Sequence, residues 1–191
     1  GTFSSAVSGA MSNLAEEEEI PFMTAISVDP GITSESDDYT FRLTGDTTQK
    51  LTGVAQFFQD QGVERVGVLG ADYALGQSSV EFMQENASDF GFSVEYSSLV
   101  PLSTSDFVPE LRSVDTDSTE AMFFPFPGGN GPTLVEQFRS QGIYDEVEYM
   151  VGHDSYGTQL YRNAVGEAIT GTYNWGVDLS NDRAQSANQA M

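Results

Sequence analysis

Val66, Gly67, Val68 and Leu69 form a run without a polar side chain, and Gly70-Ala71-Asp72-Tyr73-Ala74-Leu75-Gly76 follows at once. A strand that is apolar on both sides must be covered on both faces, as in a parallel sheet under helices. The two glycines, the Asp and the Tyr turn the chain sharply. A helical stripe of Val80, Met83, Ala87 and Phe90 then begins. In open α/β sheets ligands bind outside the carboxyl ends of the strands. Residues 69–76, with Tyr73 and Leu75 among them, are therefore the first candidate for a site wall.

The same alternation runs through the chain. Val7, Ala10, Met11 and Leu14 predict a first helix with its apolar stripe as the packing face, and four glutamates at 16–19 close it on the solvent side. Residues 20–23 predict a short strand with Pro21 at its beginning, 24–38 a loop, and 39–43 a second extended piece. Asp46 or Thr47 caps a helix whose inner face is Leu51, Val54, Ala55 and Phe58. Residues 92–96 alternate as a half-buried strand does. Asp106 caps a short helix with Phe107, Leu111 and Val114 inward, and 121–124 form another buried strand. Leu134, Val135 and Phe138 mark the next helix, ended by Gly142. Strand at 149–151, loop at 153–157, helix at 160–165, an extended piece at 169–177 and a helical tail from Asp182 complete the reading. Such a sequence predicts an α/β fold with doubly wound parallel sheets and right-handed crossovers. The first helix lacks a preceding strand and the last lacks a partner, so the chain reads as an internal fragment.

Charge narrows the partners. Twenty-nine acidic residues stand against one Lys and six Arg, a net charge of −22, which makes nucleic acid and anionic membranes poor partners. The carboxylates are spread along the chain, as on a halophilic surface where a Debye length of about 3 Å at 1 M salt mutes self-repulsion. The absence of cysteine excludes disulfides and a thiol nucleophile. No apolar run approaches the roughly 20 residues that span a bilayer.

Motifs for catalysis or cofactors are weak. Gly67 to Gly70 and Gly128 to Gly131 follow strands, but neither gives the dinucleotide fingerprint or the Lys of a phosphate loop. His153-Asp154-Ser155 holds the only His, yet triads are assembled from distant segments. A loop His lining a ligand cleft fits it better. Asp115-Thr116-Asp117 opens like a calcium loop, but Glu120 and Phe126 stand where Gly and Glu are needed. With one His and no Cys zinc is not expected, so neither a metal nor a cofactor is. Ser4-Ser5 sits just before the first helical stripe, where unpaired N–H groups and two hydroxyls could cradle a carboxylate.

In order along the chain, residues 1–5 (Gly-Thr-Phe-Ser-Ser), 20–28 (Ile-Pro-Phe-Met-Thr-Ala-Ile-Ser-Val) and 39–42 (Tyr-Thr-Phe-Arg) resemble the first lobe of type I periplasmic substrate-binding proteins. The likeness is to the leucine/isoleucine/valine-binding branch of ABC importers. Residues 72–76, Asp106-Phe107 with Leu111, and 137–142 continue it over nearly the whole chain. The resemblance implies a two-lobed clamp: 1–42 with 172–191 as an incomplete lobe 1, and 43–171 as lobe 2. It implies a non-enzymatic protein, extracellular, cell-surface anchored or periplasmic. Its partners would be ABC permease subunits and a small polar ligand such as a branched-chain amino acid. Carried over by position, Ser5 would take the ligand carboxylate with Phe3 and Ser4 beside it. Ile26, Ser27 and Val28 would form the facing wall. Lobe 2 would add Tyr73, Leu75, Pro127, Gly128, His153 and Asp154.

This chain departs from the family at Val28, often a hydroxyl residue, at Leu75 and Pro127, often aromatic, and at His153, where an acid binds the ammonium group. Asp154 would have to take that charge after a one-residue shift. Otherwise the ligand is an amide, a small carboxylate or another metabolite. Two other classes stay open at this point: the ligand-sensing domain of a receptor, and a doubly wound hydrolase using His153.

Overall fold

The computed structural model describes residues 5–33, 38–166 and 172–174. A five-stranded sheet contains β3 (Arg65–Ala71), β4 (Ser93–Val100), β5 (Ala121–Phe124), β6 (Tyr149–Gly152) and β7 (Thr172–Asn174), in the order β4-β3-β5-β6-β7 with every pair parallel. A smaller parallel pair joins β1 (Phe22–Thr24) to β2 (Thr40–Arg42). Helices α1 (Ser5–Glu18), α2 (Thr47–Gln61), α3 (Ala74–Asn86), α4 (Val108–Leu111), α5 (Gly131–Ser140) and α6 (Gln159–Val165) connect them.

The apolar run that opens β3 is buried on both faces, as expected. Val66 and Val68 pack with Leu51, Phe58 and Met83, on the side of α2 and α3. Leu69 and Ala71 pack with Leu111, Leu134 and Phe138, on the side of α4 and α5. Along β5 the alternation is as clear: Ala121 and Phe123 face the first cluster, Met122 and Phe124 the second. The sheet is therefore doubly wound. The chain leaves β3 first towards β4 on one side and returns to β5 on the other, so the strand order reverses between β3 and β5. That reversal splits the crossovers at the carboxyl ends of these two strands, the place where open α/β sheets bind their ligands.

The capping signal of α2 is realised, whereas α4 begins after Phe107, one residue later than a cap at Asp106 predicts. Asp46 accepts from Gln49 N at 2.8 Å while the Gln49 side chain accepts from Asp46 N at 3.1 Å, a reciprocal capping box that starts α2. Asp106 Oδ1 accepts from Val108 N at 3.1 Å at the start of α4. Strand β4 runs four residues beyond its alternating stretch. Backbone pairing with β3 through Ala71–Val100 carries Ser97 and Ser98 along.

Two expectations need correction. The first concerns α1, whose apolar stripe is not its packing face. Val7, Met11 and Leu14 are 49%, 41% and 49% exposed, whereas Ser8, Ser12 and Ala15 are buried. Hydroxyls hold this helix: Ser8 Oγ lies 2.6 Å from Ser27 Oγ, and Ser12 Oγ donates to the Ile32 carbonyl at 3.0 Å and lies 2.9 Å from Thr40 Oγ1. A polar residue on a helix is read as solvent-facing until its partner is known, and these partners lie 19 to 28 residues away. The second concerns the return of the chain to the first lobe at 172. Thr172, Tyr173 and Asn174 instead pair with Met150, Val151 and Gly152, as the edge of the large sheet. The helical tail from Asp182 lies outside the described residues.

Candidate functional site

The carboxyl ends of β3, β5 and β6 lie side by side at this reversal. Asp72 N donates to the Val100 carbonyl at 2.7 Å, so the chain leaves β3 in a fixed direction and presents Tyr73. His153 N donates to the Phe124 carbonyl at 3.1 Å and ties the exit of β6 to β5. Below His153 the Tyr156 ring lies flat on Gly152, where any Cβ would overlap it. Tyr156 stacks on Tyr161 with ring centroids 4.8 Å apart, and the Tyr161 hydroxyl donates to the Gly128 carbonyl at 2.5 Å. This brings the 127–130 turn and the 153–157 turn side by side.

Asp154 is the electrostatic centre. Its Oδ1 lies 2.8 Å from His153 Nδ1, and its Oδ2 3.2 Å from Nζ of Lys50, which reaches over from the first turns of α2. A carboxylate only accepts, so the 2.8 Å contact places the hydrogen on Nδ1. The approach of Ser155 N–H to the same nitrogen, at 3.2 Å, is then a contact and not a bond. Burial alone would raise the Asp154 carboxyl; His153 and then Lys50 outweigh it and hold the group at about 2. Burial pushes the Tyr73 hydroxyl well above its usual range, and the Asp154 charge adds to this. Tyr161 is raised for the same two reasons, against a hydrogen bond with Ser155 that lowers it. Both phenols stay protonated at neutral pH and can donate.

A folded-state value below that of an unfolded Asp, near 3.9, means that the Asp154 interactions stabilise the protein fully above about pH 4. That stabilisation is lost as pH falls towards 2. The difference in unfolding free energy between the native protein and Asp154→Asn is expected to shrink as pH falls from about 4 towards 2. Chemical denaturation across this range checks the point, and a difference unchanged at pH 2 contradicts it.

The smaller pair of strands meets this centre through α2. Thr47 donates to the Val28 carbonyl twice, from its N at 2.7 Å and its Oγ1 at 3.0 Å. Next along the chain, Asp29 N donates to Ser5 Oγ at 3.4 Å, at the start of α1. Arg42 braces the loop from the end of β2: Nη1 donates to the Ser27 carbonyl at 2.7 Å and Nη2 to the Asp29 carbonyl at 2.6 Å. Contacts thus run without a gap from Ser5 through Asp29, Val28 and Thr47, one helical turn along to Lys50, and across to Asp154.

The whole chain, residues 1–191, matches the periplasmic binding protein family. The chain belongs to that family. Among curated proteins nothing matches. Solved structures similar to this periplasmic binding protein include a solute-binding protein of an ABC transporter from R. palustris in complex with 4-hydroxybenzoate. It is 20% identical with a TM-score of 0.74, and 87% of this chain and 46% of that one are covered. An ABC transporter substrate-binding protein from Desulfitobacterium hafniense in complex with Leu is 16% identical, with a TM-score of 0.68 over 82% of this chain and 46% of that one. Another structure of such a protein from D. hafniense is 15% identical, with a TM-score of 0.80 over 100% and 55%. The fold is that of type I periplasmic binding proteins, and the chain spans about half the length of these structures.

Of the residues singled out in the sequence, the periplasmic binding protein fold brings Tyr73, Gly128, His153 and Asp154 together at the sheet edge, with Pro127 half-buried beside them. Ser5 and Val28 join through the α2 contacts. Ile26 is 55% exposed. Ser27 does not present its side chain: it is buried against Ser8, where an exposed wall residue was expected. Leu75 packs against the α2/α3 core rather than forming a site wall. Phe3 and Ser4 lie outside the described residues. Sequence reading missed Lys50, Arg42, Thr47 and Tyr161. Lys50 carried a usable signal, as the single lysine among 29 acids, one position before the buried stripe of α2.

Proposed function

We propose that this chain is the ligand-binding part of the solute-binding component of an ABC importer, working outside the cytoplasmic membrane, periplasmic or anchored at the cell surface, and handing its solute to permease subunits. Residues 5–42 belong to one lobe and 43–174 to the other, and the solute sits where they meet. The observation that carries this reading is the unbroken line of contacts from Ser5 through Val28 and Thr47 to Lys50 and Asp154. It supports a site at which the start of α1 is linked by direct contacts to the carboxyl ends of a doubly wound sheet.

The ligand is a small polar molecule with a carboxylate, held by the Ser5 hydroxyl and the first N–H groups of α1. Leu and 4-hydroxybenzoate, bound by two of the similar structures, share that group. Closure of the lobes on the solute is the expected motion. The non-enzymatic character has its own support. A hydrolytic triad needs carboxylate and hydroxyl on opposite nitrogens of the imidazole, whereas Asp154 Oδ1 and Ser155 Oγ both lie on His153 Nδ1, at 2.8 and 3.0 Å. The net charge of −22 suits work in concentrated salt.

A panel of small carboxylates tests the proposal by melting temperature, since a solute at 100 times its dissociation constant stabilises by about 2.7 kcal/mol. With a binder in hand, Ser5→Ala is expected to weaken it by about 1–3 kcal/mol, the loss of one hydrogen bond to a charged group. Unchanged calorimetric affinity removes Ser5 from the site, and consumption of the bound solute removes the transport reading.

A further inference from the structure

We propose that Lys50 is a built-in ammonium group that fills the Asp154 carboxylate, so that the site selects small carboxylates without an amine over α-amino acids. The inference rests on the solute-binding reading and names the class of solute.

An α-amino acid bound at this sheet edge needs an anionic oxygen able to accept from its ammonium group. Asp154 is the acid at that position, and both its oxygens are engaged, Oδ1 by His153 Nδ1 at 2.8 Å and Oδ2 by Lys50 Nζ at 3.2 Å. The Lys50 side chain is 20% exposed, against 39% for Asp154, so the cation is the more enclosed member of the pair. A ligand ammonium arriving here would have to displace Lys50 or lie beside a like charge. The other groups around Asp154 point the same way. The Tyr161 hydroxyl and Nδ1 already donate, to the Gly128 carbonyl and to Asp154, and Tyr73, held protonated by burial, adds a donor at this corner. Lys50 has three N–H bonds and gives one to Asp154. The others suit a keto, hydroxyl or carboxylate oxygen. The pairing also stands out chemically: in a chain with 29 acids and one lysine, that lysine lies against this carboxylate 104 residues away.

Two matched pairs of probes test the inference on the full-length protein by titration calorimetry. They are L-leucine with 4-methyl-2-oxopentanoate, and 4-(aminomethyl)benzoate with 4-hydroxybenzoate. Each pair keeps the carboxylate and a similar carbon skeleton, and only the first member carries an amine. The native protein is expected to bind the amine-free member of at least one pair tenfold or more tightly than its partner. Lys50→Met keeps the length of the side chain and removes the charge. It is expected to erase that preference by strengthening the amine-bearing member about tenfold, with thermal unfolding confirming that the variant is folded. Equal or tighter binding of the amines by the native protein overturns the inference and leaves solute binding standing. A preference unchanged in Lys50→Met does the same. Failure of the native protein and the variant to bind any of the four probes overturns both.

Discussion

Gly76→Ala is expected to cost the protein about 3 kcal/mol or more of folding free energy, at the upper end for overpacking a core. The first turn of α3 rests directly on the end of β3. A Cβ at Gly76 would overlap the Ala71 carbonyl oxygen and come within 2.8 and 2.9 Å of the Ala71 carbonyl carbon and nitrogen. Those atoms are backbone and cannot rotate aside. They are also held from two sides, by Ala71 N on the Pro125 carbonyl at 3.4 Å and Asp72 N on the Val100 carbonyl at 2.7 Å. Relief therefore requires the helix to lift off the sheet, which uncovers the packing of Met83 and Ala87 and moves Tyr73 at the site. Gly53→Ala is the control: this glycine lies inside α2, and its added Cβ meets nothing within 4 Å. Alanine there is expected to stabilise by about 1 kcal/mol through helix propensity. Urea denaturation of the two variants checks both signs, and a Gly76→Ala protein within 1 kcal/mol of the native one contradicts the packing described.

Arg42→Met is expected to destabilise by about 3 kcal/mol and to weaken any bound solute at least tenfold. The guanidinium donates to the Ser27 and Asp29 carbonyls and, from Nε at 3.2 Å and Nη2 at 3.0 Å, to Thr33 Oγ1. One planar cation therefore closes the 27–33 loop onto the end of β2. Hydrogen bonds to charged groups contribute about 1.5–3 kcal/mol each and do not add in full. Removing this fork leaves two backbone carbonyls short of a donor. The loop it braces carries Val28 and Asp29, which connect α2 to the start of α1, so loss of the brace reaches the ligand through position rather than contact. Arg42→Lys is expected to recover little, because a lysine cannot present the fork. A Lys variant as stable as the native protein contradicts this role.

These two sites show where the sequence spoke and where it was silent. The large sheet was legible because its strands are apolar on both sides and its helices carry regular stripes. Val66 to Leu69, the 121–124 strand and the Leu51, Val54, Ala55, Phe58 face all fall where periodicity put them. The α1 helix misled for a physical reason. It carries an apolar stripe and a serine stripe on different faces, and the hydroxyls, paired with Ser27, Ile32 and Thr40, decide which face is buried. Ser27 was misplaced with it. Leu75 was assigned to the site wall by its position after a strand, but the direction of its side chain follows from how α3 settles on the sheet. The strand at 172–174 was assigned to the first lobe, whereas it pairs with β6, because its partner choice is a tertiary matter. The Lys50–Asp154 pair was invisible for a similar reason: no local pattern links two residues 104 apart, and only the composition hinted that a lone lysine had a fixed partner.

The central claim is that one gap is bounded by the start of α1, the Val28 loop and the carboxyl ends of the large sheet, and that a small carboxylate fills it. Backbone amide shifts of the full-length protein, followed while 4-hydroxybenzoate or 4-methyl-2-oxopentanoate is titrated in, test this most directly. The account predicts that the amides of Ser5, Val28, Asp29, Tyr73, Gly128 and Asp154 move together with one dissociation constant. Shifts confined to one side of that gap, or clustered at a surface that contains none of these residues, would contradict it.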